Sequence, residues 1–256
     1  MKAKEILITE AETIPLVDEC PLSAHERETG YKAIVDKTTM NTICVVPIEH
    51  GIIQHKHVID EVAKLDNYII KKTMLSNNGR SLMLELTERE PKQIELLPQD
   101  FIECGARVFN DYGRSRGLSV QGCGTRVVCS NGAISPVKTK AMAVYAYGTA
   151  EFNKELEKQI EICIKQWEST EVTDLMKKAN ETVVSVKDVA TKLPWLPKKY
   201  MDTIMDELND EDTVYNIWNQ YTRVITHEIG PKIQTAGLLG LQKRANKILA
   251  LVKVVP

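Results

Sequence analysis

The apolar residues of this 256-residue chain change their spacing near residue 150, and that change constrains the fold more than any single motif. From there on, Phe152, Leu156, Ile160, Ile164 and Trp167 recur every three or four positions, the stripe of an amphipathic helix. Upstream the period is shorter. The run YKAIVDKTTMNTICVVP (31–47) reads as two strands about a turn, with Tyr31, Ile34 and Val35 in the first, Ile43 to Val46 in the second, and Pro47 as the stop. Val58, Ile59, Val62 and Leu65 then return at helical spacing and predict a helix over 54–65. YIIKKTML and SLMLELTE follow as strands about the turn SNNGR, whose residues tolerate left-handed backbone. Residues 96–104 extend the sheet, with Pro98 marking a break or an edge. Further helices are predicted over 198–209, 213–229 and 238–252, and Gly230-Pro231 is a stop signal.

These spacings predict an α+β protein, with an antiparallel or mixed curved sheet and packed helices first and a helical part after it. The corresponding segments are 1–27 at the amino terminus, 28–147 as a strand-rich domain holding the glycines and arginines, and 148–256 as the helical part, packed on the first or separate. AMAVYAYGTA (141–150) is readable either way: its alanines favour helix, and Val144, Tyr145 and Tyr147 suit a strand. No apolar run reaches the length of a membrane span, and MKAKEILITEAET lacks the core of a secretory signal. Six cysteines are too few for a disulfide scaffold at this length, so the expected location is the cytoplasm, the host's if the chain is phage-encoded.

The stretch SVQGCGTRVVCSNGA (119–133) admits three chemistries. As a metal knuckle it is poor, because Cys123 and Cys129 stand six apart and the chain has no C-x2-C pair. His55 and His57 point about 200° apart on a helix, so they do not share an ion. Buried cysteines used as small hydrophobes are the simpler reading. As a nucleophile, Cys129 needs a base such as His227, a hundred residues away in sequence, and the chain has neither a GxSxG elbow nor an HExxH helix. Gly122-x-Gly124 lacks the third glycine of a dinucleotide fingerprint. Catalytic residues, metals and cofactors are therefore not assigned.

The third reading is a surface that grips a polyanion. The formal net charge is −2, yet residues 105–147 carry six Lys/Arg against a single acid, Asp111. Arg107, Arg114, Arg116 and Arg126, with Lys138 and Lys140, supply cations, and Tyr112 and Tyr145 lie among them as stacking candidates. Gly122, Gly124, Asn131 and Gly132 are the expected structural turns. By contrast 151–212 holds fifteen Asp/Glu and nine Lys, which fits an acidic helical surface docking on another protein. Trp218 and Tyr221 read as helix packing, and His227 as a residue favoured near a helix carboxyl end.

Three segments together resemble the phage- and plasmid-associated family of unknown function numbered 932. They are the hairpin and helix with Val46, His50 and Gln54, the run Arg126-Val127-Val128-Cys129 with Asn131-Gly132, and the helix with Trp218, Tyr221 and Thr226. The chain departs from the family pattern in carrying His50 where a tyrosine is usual. The resemblance implies a role in replication or recombination and a distant kinship with single-strand annealing proteins. It further implies a curved sheet beside a helix, self-association into rings or filaments, and single-stranded nucleic acid as the partner. The expectation is thus a non-enzymatic annealing protein, with two alternatives: an acidic protein that occupies a host or phage protein surface, and an uncharacterised enzyme using the glycine-rich cleft.

Overall fold

The computed structural model describes residues 4–6, 14–24, 27–76, 78–113, 118–126, 132–134, 150–167, 169–233 and 235–253. In chain order the first elements are β1 (Lys4–Ile6), β2 (Val17–Ala24), β3 (Arg27–Asp36), β4 (Thr42–Pro47), α1 (His55–Ala63), β5 (Tyr68–Ser76) and β6 (Ser81–Glu88). Next come β7 (Gln93–Leu97), β8 (Asp100–Asp111), β9 (Ser119–Arg126), β10 (Gly132–Ile134) and α2 (Ala150–Trp167). The rest are α3 (Thr170–Glu181), β11 (Val183–Ser185), α4 (Val186–Val189), α5 (Lys198–Asp206), β12 (Glu211–Thr213), α6 (Val214–Val224) and α7 (Thr235–Ala245). The fold class is α+β, with strands mostly in the amino-terminal half and helices after them.

Among the described residues the larger sheet has the order β1-β5-β6-β8-β9-β10, with β7 also on β8, and a second sheet has the order β2-β3-β4. Every pairing whose register is resolved is antiparallel. The chain divides into two units that interleave in sequence. One holds Met1–Glu90, Ala106–Gln121 and Lys140–Ile162, and the other holds Pro91–Gly105, Gly122–Thr139 and Cys163–Pro256.

In the first unit β5 and β6 form the hairpin that SNNGR announces, with Ser76 opposite Ser81. Asn78 (φ 55°) and Gly79 (φ 81°) are both left-handed, which asparagine and glycine tolerate best. Gly79 has a second reason to be glycine, because a Cβ there would lie 2.8 Å from Cγ of Pro15. The β2-β3-β4 sheet buries Val17, Ile34 and Val46 against Tyr112, with Ile43, Cys44 and Ile52 at the margin. α1 presents Val58, Ile59 and Val62 inward, as its period requires. Burial, reinforced by Glu161, Glu88 and Glu157, pushes the Tyr68 phenol up to about 12, which sets α2 beside the start of β5.

The second unit is built around α6. Thr213 caps it, its hydroxyl accepting from the Asn216 N–H at 3.0 Å, and Val214, Ile217, Trp218, Tyr221 and Val224 are buried. The helix expected over 213–229 continues past Val224 as one wide π turn to Ile229, ahead of Gly230-Pro231. The helix expected over 238–252 is α7 followed by a tight 3-10 turn over Ile248–Lys253. Trp218 Nε1 donates to Asn246 Oδ1 at 3.2 Å and the Tyr221 hydroxyl to the Pro194 carbonyl at 3.1 Å, so both act as packing residues with satisfied polar tips. Tyr215 donates its hydroxyl to the buried Asp100 carboxylate. No helix of the described residues is long and apolar enough to cross a membrane.

Candidate functional site

Strand β8 and the residue after it carry the first of the expected polyanion ligands, and both are buried. Its residues 106–111 are all buried, as expected of a strand with neighbours on both sides and cover on both faces. Arg107, expected as a phosphate ligand, has a side chain only 5% exposed and sends Nε and Nη2 to Glu85 Oε2 on neighbouring β6, each at 2.8 Å. Tyr112, expected as a base-stacking ring, is 1% exposed. It lies stacked on His55 with centroids 3.9 Å apart, and its hydroxyl accepts the His55 backbone N–H at 3.0 Å. Both groups, expected at the surface, are buried and engaged in the interior.

The expected turn at Gly122 and Gly124 is instead strand. Both lie buried inside β9, with Gly124 opposite Ala133 and Cys123 opposite Ile134, and Gly132 opens β10. The Gly122 N–H faces the buried Cys163 thiol, whose own burial pushes it up to about 11. Arg114, Arg116, Asn131, Lys138, Lys140 and Tyr145 lie outside the described residues, as do Cys129 and the side chain of Arg126.

Where β8 ends, a network joins four elements. His55 is fully buried at the start of α1, and its Nε2 lies 3.0 Å from the Gly79 carbonyl and 3.2 Å from that of Arg80. Carbonyls only accept, so Nε2 carries the proton and Nδ1 is the acceptor. Asn110 meets that requirement: its Nδ2 donates to His55 Nδ1 at 2.9 Å and to the Ile53 carbonyl at 2.8 Å. Loss of water pushes the His55 imidazole down to about 4, against the opposing pull of the two carbonyls and Asp111.

Asp111 is as fully engaged. It accepts from the Ser81 hydroxyl at 2.5 Å, the Gly113 N–H at 2.6 Å and Arg80 Nε at 3.2 Å. The Arg80 guanidinium lies flat on Gly113, where a Cβ would stand 1.8 Å from Nη2. Serine, histidine and aspartate therefore meet here without forming a catalytic relay. Ser81 donates to the carboxylate, and both imidazole nitrogens are taken by other groups. Partial burial and Asp111 hold the Cys44 thiol above its usual range despite the opposing pull of Arg80, so its reactive thiolate is not favoured.

Two residues of the family resemblance have structural work in the same place. Val46 is core, and the Gln54 amide brackets Val17, accepting its N–H at 3.1 Å and donating to its carbonyl at 2.8 Å. Sequence reasoning missed Arg80, a third of whose side chain is exposed beside the backbone that leads into residues 114–117. Its signal was weak, since it stands at the end of SNNGR, where an arginine reads as turn polarity. No family model, curated protein or solved structure matches the chain.

Proposed function

We propose that the chain is a non-enzymatic protein that binds single-stranded nucleic acid and promotes its annealing, with Arg114, Arg116, Arg126, Lys138 and Lys140 as its cationic contacts. One observation carries this reading. The single acid of residues 105–147, Asp111, is held by Ser81, Gly113 and Arg80, and Arg107 is spent on Glu85. The five remaining cations of the stretch share it with no second acidic residue in sequence. The engaged Ser81, His55 and Asp111 further favour binding over bond chemistry.

Phosphates would be held by these cations while the bases stay available for pairing, which also accounts for a mechanism without a cofactor. The test is a fluorescence-anisotropy titration of an oligothymidylate with the full chain at several salt concentrations. Each phosphate contact on a single strand contributes about 0.7 to the slope of log K against log salt. Replacing Arg114 and Arg116 by alanine should weaken binding about tenfold and flatten that slope by about 1.4, equally for all base sequences. A double variant that matches the parent in affinity and slope overturns the proposal.

A further inference from the structure

The segment Pro194-Trp195-Leu196-Pro197 in the second unit displays an aromatic ring that the fold could have buried. Trp195 is 73% exposed, while Leu193 and Leu196 on either side are 8% and 2% exposed. The segment is pinned at both ends. Its Pro194 carbonyl accepts from the buried Tyr221 hydroxyl at 3.1 Å, and the Pro197 carbonyl accepts the Tyr200 N–H at 2.9 Å and the Met201 N–H at 3.2 Å. With both leucines turned inward and two prolines limiting the backbone, the indole is held outward by its surroundings.

Lysines flank it in sequence. Lys192 stands three residues before Trp195 and Lys198 three after it, and both are exposed. Lys199 and Lys232 meet over one ring, their Nζ atoms 4.6 Å and 5.8 Å from the centroid of Tyr200. The first turn of α5, which Lys198 and Lys199 open, holds no acidic residue. Lys187 is not part of the group, because Asp210 takes it at 2.9 Å. The remaining four lysines form no ion pair among the described residues.

We propose that Trp195, with Lys192, Lys198, Lys199 and Lys232, forms a stacking platform for single-stranded nucleic acid. A flat indole held in water suits the π-face that every base presents, and ammonium groups without a carboxylate among the described residues suit the phosphates. The charge balance speaks for this occupant, since the platform is cationic within a segment that is acidic as a whole. An apolar protein partner or a lipid surface would call for a wider greasy patch, and here the adjoining leucines are buried. The platform shares its class of partner with the proposed function but stands on different residues, so the two fail separately.

The test uses the full chain, oligothymidylate and intrinsic tryptophan fluorescence, with vesicles of anionic phospholipid as the contrasting probe. The oligonucleotide should quench the parent. Trp195→Ala should lose that quench and bind about 5-fold to 150-fold more weakly, the range for one stacked base. Trp195→Phe, which keeps a ring, should recover most of the affinity, and Lys198→Ala with Lys199→Ala should flatten the salt slope by about 1.4. Unchanged circular dichroism shows that the exposed substitutions leave the fold intact. The Arg114→Ala, Arg116→Ala chain should keep the Trp195 quench at saturating oligonucleotide even where its affinity falls. If Trp195→Ala binds as the parent does, the platform is refuted whatever the arginine variants do. A response of Trp195 to vesicles and not to the oligonucleotide would likewise overturn it, in favour of a lipid surface.

Discussion

Arg107→Ala should lower the unfolding free energy by about 3–5 kcal/mol, because it strands a buried carboxylate. Arg107 is the only cation of residues 105–126 whose side chain the structure describes, and its Nε and Nη2 both reach Glu85 Oε2, on a side chain itself only 18% exposed. Removing the guanidinium leaves Glu85 to be hydrated by local opening of the sheet or to take up a proton. In a chain of this size such a loss lowers the melting temperature by roughly 10 °C. Replacing the pair together, Arg107→Met with Glu85→Leu, should recover most of that loss, since the desolvation of both charges disappears with them. Urea midpoints of the parent, Arg107→Met, Glu85→Leu and the double variant give the coupling. Were Arg107→Ala to lose under 1 kcal/mol, the ion pair would be exposed to water in solution and Arg107 would return to the set of ligand candidates.

The second large effect is a loss of stability in acid that depends on one imidazole. In the unfolded chain His55 takes its proton near 6.5, whereas in the fold it stays neutral down to about 4. Between those values the unfolded state binds more protons, so stability is full above about 6.5 and falls as the pH drops toward 4. The loss amounts to roughly 3 kcal/mol. Protonation at Nδ1 would set an N–H against the Asn110 amide donor, which is also committed to the Ile53 carbonyl. Carboxylates titrate in the same window, so the measurement is a difference: urea unfolding of the parent and of His55→Gln at intervals from pH 7 to pH 4. The variant should be weaker at pH 7 and show a shallower acid slope. Asn110→Asp, which offers Nδ1 an acceptor, should hold the imidazole charged to higher pH and reduce the acid loss. Identical slopes in the parent and His55→Gln would show that the network does not control this proton.

Local patterns told the elements apart well where one rule dominated. SLMLELTE became strand β6 over the same eight residues, and α1 and α6 start within a residue of where their periods begin. Strand β2 left no mark, for VDECPLSA holds a proline, two carboxylates and a bulge after Pro21, and it is mostly exposed. An edge strand of that kind is specified by its neighbour β3 more than by its own alternation. The candidate site was legible in outline only. Arg107 sits between Ala106 and Val108, and a period of two assigns it to one face of the sheet without saying whether that face meets water. Glu85 reads as surface charge until β6 and β8 are placed side by side. Trp195 carries no outward signal in sequence, since an aromatic among leucines fits a core as well as a surface, and the burial of Leu193 and Leu196 shows which side chain meets water.

The interleaving of the two units limits what any shortened version of this protein can do. A fragment ending at residue 147 would retain β2 to β6 but lose α2, and it would carry 91–105 and 122–139 without the helices they belong with. During synthesis, the contacts that complete the first unit wait for residues up to 162, and those that complete the second wait for residues after 163. Such long-range closure makes folding slow and exposes unfinished strand edges to other chains, so the nascent protein should depend on chaperones more than its modest length suggests.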